Sequence, residues 1–109
     1  MRYTVTARLI AETAAELLRK LTDGTIETQK PDGKEIVASM NRAVIDQQQV
    51  VRWSESCYCA TPLEHERAAV YDHHFTDLEA IETETLETPD GESFMEYLRR
   101  ISAGSSSAR

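Results

Sequence analysis

The chain of 109 residues has no run of lysines and arginines, no apolar stretch of membrane-spanning length, no glycine-rich phosphate loop and only two cysteines. Each absence closes a class of function. With no basic stripe and a formal net charge of -7, the chain would repel a phosphate backbone, so no nucleic-acid partner is expected. A membrane-spanning helix needs about 20 consecutive apolar residues, and none occur together here. The N-terminus also lacks the charged-then-apolar layout of a secretory signal, so a cytoplasmic protein that does not enter a membrane is expected. Cys57 and Cys59, one residue apart, are not the framework of a disulfide scaffold and read as reduced thiols. No dinucleotide fingerprint, nucleophile elbow or zincin motif is present, and no cofactor is implied.

What is there reads as one α+β domain over residues 1–102, followed by a tail, 103–109 (AGSSSAR), with nothing to bury and expected to be disordered. Residues 2–10 alternate, with Tyr3, Val5, Ala7 and Leu9 on one face, which predicts a half-buried strand. Thr13 and Glu16 have capping-box spacing before a helix to about residue 22, and Gly24 is placed to end it. Residues 25–30 read as a short strand, Pro31-Asp32-Gly33 as a turn, and 35–45 as a helix carrying Ile36, Val37, Met40 and Val44. A strand over 50–60 leads into a second capping box, Thr61 and Glu64, and a helix from Pro62 to about Phe75. A strand over 77–87, a turn at Pro89-Asp90-Gly91 and a final helix over 92–101 complete the pattern.

The two halves echo each other. Arg2-Tyr3-Thr4 recurs as Arg52-Trp53-Ser54, the capping box recurs, and so does Pro-Asp-Gly. Read as an internal duplication with gaps, each half is strand, helix, strand, turn, helix. Two strand-helix-strand units predict a ferredoxin-like sandwich, a four-stranded antiparallel sheet with helices on one face and an extra C-terminal helix.

Residues 52–75 hold both cysteines, all three histidines and the single tryptophan. On a strand, Val51, Trp53, Glu55, Cys57 and Cys59 share the more apolar face and Arg52, Ser54 and Tyr58 the other. The two thiols fit ordinary core packing. With His65 they could also be offered to one metal ion, although Cys-x-Cys is not the usual structural-zinc spacing. Glu55 is the residue packing explains least, because an acid stands where the pattern asks for a hydrophobe. A carboxyl desolvated beside an indole would hold its proton and could act as a general acid or base, with His74 as the candidate partner. The bland reading of His74 is a histidine carrying favourable positive charge at a helix C-terminus.

No catalytic constellation is complete. The first expectation is therefore a non-enzymatic module that self-associates as a homodimer and presents a surface or shallow pocket to a protein or small-molecule partner, with Arg52, Trp53 and Tyr58 in the interface. The second is a small-molecule enzyme or binder using Glu55 with a histidine, and the third is metal binding through Cys57, Cys59 and His65.

Overall fold

The computed structural model describes residues 2–57, 61, 63–84 and 91–107, with side chains to residue 103. β1 (Arg2–Leu9) buries Tyr3, Val5 and Ala7 and exposes Arg2, Thr4 and Arg8, as its alternation predicts. A 3-10 turn (Ala11–Thr13) leads into α1 (Ala14–Thr22), whose Ala14, Leu17 and Leu21 enter the core. Gly24, at φ +90, then turns the chain in a conformation that disfavours any residue with a Cβ. α2 (Gly33–Arg42) and β2 (Val44–Ile45) follow, and a tight turn joins β2 to β3 (Val50–Ser56). In that turn Asp46 Oδ1 accepts from the backbone N–H of Gln48 at 2.8 Å and of Val50 at 3.0 Å.

The next helix, α3, has three consecutive pieces: Glu64–Glu66, a π-helical Arg67–Tyr71 and Asp72–His74. β4 (Phe75–Thr83), β5 (Glu92–Ser93) and α4 (Phe94–Ser107) complete the order. The sheet has five strands among the described residues, in the order β4-β1-β3-β2-β5, with every neighbouring pair antiparallel. Val5, opposite both Trp53 and Ala80, marks its middle. The helices share one face. α1 and α2 pack on α4, α2 lies against β3, and α3 reaches Trp53 through Tyr71. One core holds Val5, Leu17, Ile36, Met40, Trp53, Tyr71 and Phe94, all essentially solvent-free. A fully buried side chain of this size contributes about 1.5–3 kcal/mol relative to exposure. Among the described residues no helix is long and apolar enough to cross a membrane.

Several expectations change. Residues 25–30 are not a strand: Thr28 N–H bonds Gly24 O, Gln29 N–H bonds Ile26 O and Gly33 N–H bonds Gln29 O, so this backbone closes on itself. Only Ile26 of the six is buried, too little to anchor a strand. The matching strand, helix, strand, turn, helix halves of the echo therefore do not form, and the sheet has five strands where four were expected. The helix expected over 35–45 begins earlier, at Gly33, and stops at Arg42, because Val44 and Ile45 pair with Arg52 and Val51. Neither capping box closes. Thr13 gives its hydroxyl to Ile10 O at 3.1 Å, and α3 begins at Glu64 after Leu63 in the left-handed region, φ 58. The expected first helical residue, Pro62, lies outside the described residues, as do the strand ends at 58–60 and 85–87 and the turn residues Pro89 and Asp90. α4 starts at Phe94, since Glu92 and Ser93 pair with β2, and its backbone runs through Ser107 into the segment read as tail.

Beyond its two-residue contact with β2, the edge of β3 is met by side chains of α2. Arg42 Nη2 donates to Ser54 O at 2.7 Å, and Glu35 Oε2 accepts from Ser56 N–H at 3.0 Å. Helical side chains thus take ladder groups that would otherwise be open to a foreign strand. They also explain why Ser54, on the outer side of the strand by alternation, is only 2% exposed.

Candidate functional site

β3 points Trp53 and Glu55 into the core, and Cys57, just past its end, is buried with them, on the face predicted for all three. Glu55 is fully buried. Its Oε1 accepts two hydrogen bonds, from Trp53 Nε1 at 2.8 Å and from Tyr71 Oη at 2.6 Å. Oε2 is shielded and has no hydrogen-bond partner among the described residues. Burial pushes the carboxyl up to about 8, against the two hydrogen bonds, and the nearby carboxylates of Glu66 and Glu35 push the same way. Glu55 is thus mainly protonated at neutral pH. Since Oε1 is occupied by two donors, the proton belongs on Oε2.

Tyr71 is held well above the usual phenol range by burial and by Glu55, so it remains a donor. It reaches Glu55 because of the π-helical turn. The N–H of Asp72 bonds back to Arg67 O, and this wider turn brings Glu66, Val70 and Tyr71 inward together. The rings of Trp53 and Tyr71 lie 5.1 Å apart, with Phe75 at 5.3 Å from Trp53. Glu66, also fully buried, accepts from Cys57 Sγ at 3.8 Å. The centre is therefore two buried acids, a thiol, a phenol and an indole, able to hold a proton away from water.

Sequence reasoning found Glu55 and missed Glu66 and Tyr71. Their signal is an acid three residues after Leu63 on an apolar stripe, visible only once the stripe is placed correctly. Arg67, the next residue, points outward and pairs with Asp72 at 3.0 Å.

His74 is buried as well but is not hydrogen-bonded to Glu55. Its Nδ1 lies 2.9 Å from Thr13 Oγ1. Thr13 spends its one hydroxyl proton on Ile10 O, so Nδ1–H is the donor and Nε2 carries the lone pair. Nε2 is buried without a partner among the described residues. Burial, then Lys20, pushes the imidazole down to about 4, with Glu16 opposing and His73 adding to the fall. His74 is neutral, which corrects the expected positive charge at a helix C-terminus: desolvation outweighs the helix dipole.

The other expected site residues are spread out. Arg52 is exposed on the uncovered face and pairs with Asp46 at 3.4 Å, whereas Trp53 is wholly in the core. Cys57 is buried, and the largely exposed His65 lies 3.6 Å from Asp32. Tyr58 and Cys59 lie outside the described residues. Among the described residues no three His, Cys, Asp or Glu side chains gather in a way that could hold a metal ion. No protein-family model matches the chain, and neither a curated protein nor a solved structure does.

Proposed function

We propose that the chain is a small cytoplasmic binding module with a ferredoxin-like core that associates with a second copy through its uncovered sheet face. The order β4-β1-β3-β2 is that of two interleaved strand-helix-strand units, and this supports the ferredoxin-like reading; β5 and α4 are additions to it. The observation that carries association is Ile81. It sits opposite Thr4 on the face without helices and is 66% exposed, while the other large apolar side chains described are at least partly covered. Around it lie Thr4 and Thr6, short side chains on a flat surface suited to sheet-on-sheet contact. Arg8, Arg52 and Glu79 at its margins offer both signs of charge for pairing across a twofold axis.

Sedimentation and native mass spectrometry of the full chain test this reading. A dimer at micromolar concentration that Ile81→Asp converts to a folded monomer is expected, and a wild-type monomer at that concentration overturns it. A second reading, proton handling by Glu55 toward a small molecule, is favoured by the protonated carboxyl in the core. It predicts that Glu55→Gln abolishes binding of a co-purifying compound while leaving the fold intact, and a compound retained equally by both proteins would end it.

A further inference from the structure

The sheet guards one part of its edges and leaves another open. Where β3 runs past β2, Arg42 and Glu35 of α2 take its ladder groups, and at the far side β5 is only two residues long and leads directly into α4. β4 is nine residues long and pairs with β1 on one side, and on the other it has no strand or backbone partner among the described residues. It contains no proline. Asp77, at φ 54, lies in the register shift opposite the span from Thr6 to Arg8, and past it residues 79–83 run regularly against β1. Every second residue of such an edge turns its N–H and C=O away from the sheet, a template onto which a further strand adds.

The side chains decide which strand fits. Asp77, Glu79 and Glu82 of β4 are exposed, and no lysine or arginine occurs from residue 68 to residue 98. The ion pairs of the described residues engage other acids. Two arginines of β1 stand across from β4, but Arg2 donates to Glu84 O at 2.9 Å and Arg8 to Gln48 O at 2.9 Å, so neither is paired with an acid of the edge. A second copy of β4 would set acids beside acids with no counter-charge from either strand, which like-charge repulsion disfavours. A basic segment meets the opposite condition. It gains cross-strand charge pairs on both faces, beside Glu79 on the open face and beside Glu82 on the helical one, where it opposes the buried Tyr3. Its cations must stand three residues apart, with small or β-branched residues between them for Ala80 and Ile81.

We propose that the open edge of β4 receives a basic extended segment of another protein as an additional strand. Main-chain hydrogen bonds to β4 hold the segment, and Glu79 and Glu82 select its charge. The site is the edge of the strand, whereas association uses the face that carries Ile81, so neither depends on the other.

The peptide acetyl-TKVTKVT-amide, titrated into the full chain at low salt and followed by amide NMR, tests the proposal. Acetyl-TEVTEVT-amide serves as the charge control, and the first peptide with its backbone nitrogens methylated serves as the ladder control. Saturable shifts along residues 78–83 are expected with the first peptide alone, together with slowed hydrogen exchange at alternate amides of β4. Glu79→Lys combined with Glu82→Lys, both at exposed positions, is expected to weaken binding about tenfold in a protein whose spectrum stays dispersed, the equivalent of two cross-strand charge pairs. The proposal is overturned by a wild-type spectrum with no saturable response, by shifts centred away from β4, by an equal response to the acidic or the methylated peptide, or by unchanged affinity in the folded double variant.

Discussion

Glu55 and His74 are both ionisable groups sealed in the same core, and both are neutral near pH 7, yet they reach neutrality from opposite sides. Glu55 keeps a proton it would lose in water, and His74 refuses one it could accept in mild acid. Desolvation is the leading cause in each case. It penalises the charged form whatever its sign, so an acid moves up and a base moves down. The neighbours then separate the two sites: Glu66 and Glu35 reinforce the shift at Glu55, and Lys20 and His73 reinforce that at His74 while Glu16 opposes it. One interior thus contains two proton sites whose effects on stability have opposite slopes.

The largest expected effect follows from Glu55. Its folded pKa lies above its unfolded value, so its contribution is complete below pH 4.5 and is lost as pH rises toward about 8. The wild-type protein should lose on the order of a few kcal/mol across that window, and Glu55→Gln should flatten the loss. Urea unfolding at a series of pH values measures both, and an unchanged slope in the variant would break the assignment.

His74 gives the opposite limb. Its folded pKa is depressed, so its contribution is present above pH 6.5 and is lost as pH falls toward about 4. Between pH 4.5 and 6.5 the two slopes oppose each other, and stability should vary least there. Replacing His74 by Gln should remove the acid limb, and thermal melts at pH 4.5 and 7 compare the two proteins directly.

Tyr71→Phe sharpens the contrast more gently. Losing its bond to Glu55 should cost about 1–2 kcal/mol at neutral pH and shift the alkaline limb, because that bond favours the carboxylate. Denaturation of the variant beside wild type reads both effects. Thr13→Val at the other site should cost about 1 kcal/mol, since it removes the one acceptor of His74 Nδ1–H, and the same unfolding experiment measures it. The smallest effect belongs to the surface. Arg67→Ala, which breaks the exposed pair with Asp72, should change stability by under about 0.5 kcal/mol with no altered pH profile. A larger change in a melt of that variant would mean that the π-helical turn depends on the pair.

Much of the frame is legible in the residues. The alternation of Tyr3, Val5 and Ala7 and of Val51, Trp53, Glu55 and Cys57 places two strands and their inward faces, and an acid among hydrophobes singles out Glu55. Local signals fail where a long-range partner competes. Thr13 has the spacing of a cap, but its hydroxyl serves Ile10 O and His74 Nδ1. Residues 25–30 have the composition of a strand but no neighbouring strand to pair with, and Val44 leaves its helical stripe because β3 is there to receive it.

The sequence by itself determined that this is one acidic α+β chain, which faces of its main strands turn inward, and that Glu55 would be a buried acid. These depend on periodicities of two and of about 3.6 residues, which are properties of consecutive residues. Only the tertiary structure decided that Tyr71 and Glu66 join Glu55 and that His74 faces Thr13 sixty-one positions away. Those encounters depend on one π-helical turn and on the pairing of strands distant in the chain, and no local pattern specifies either.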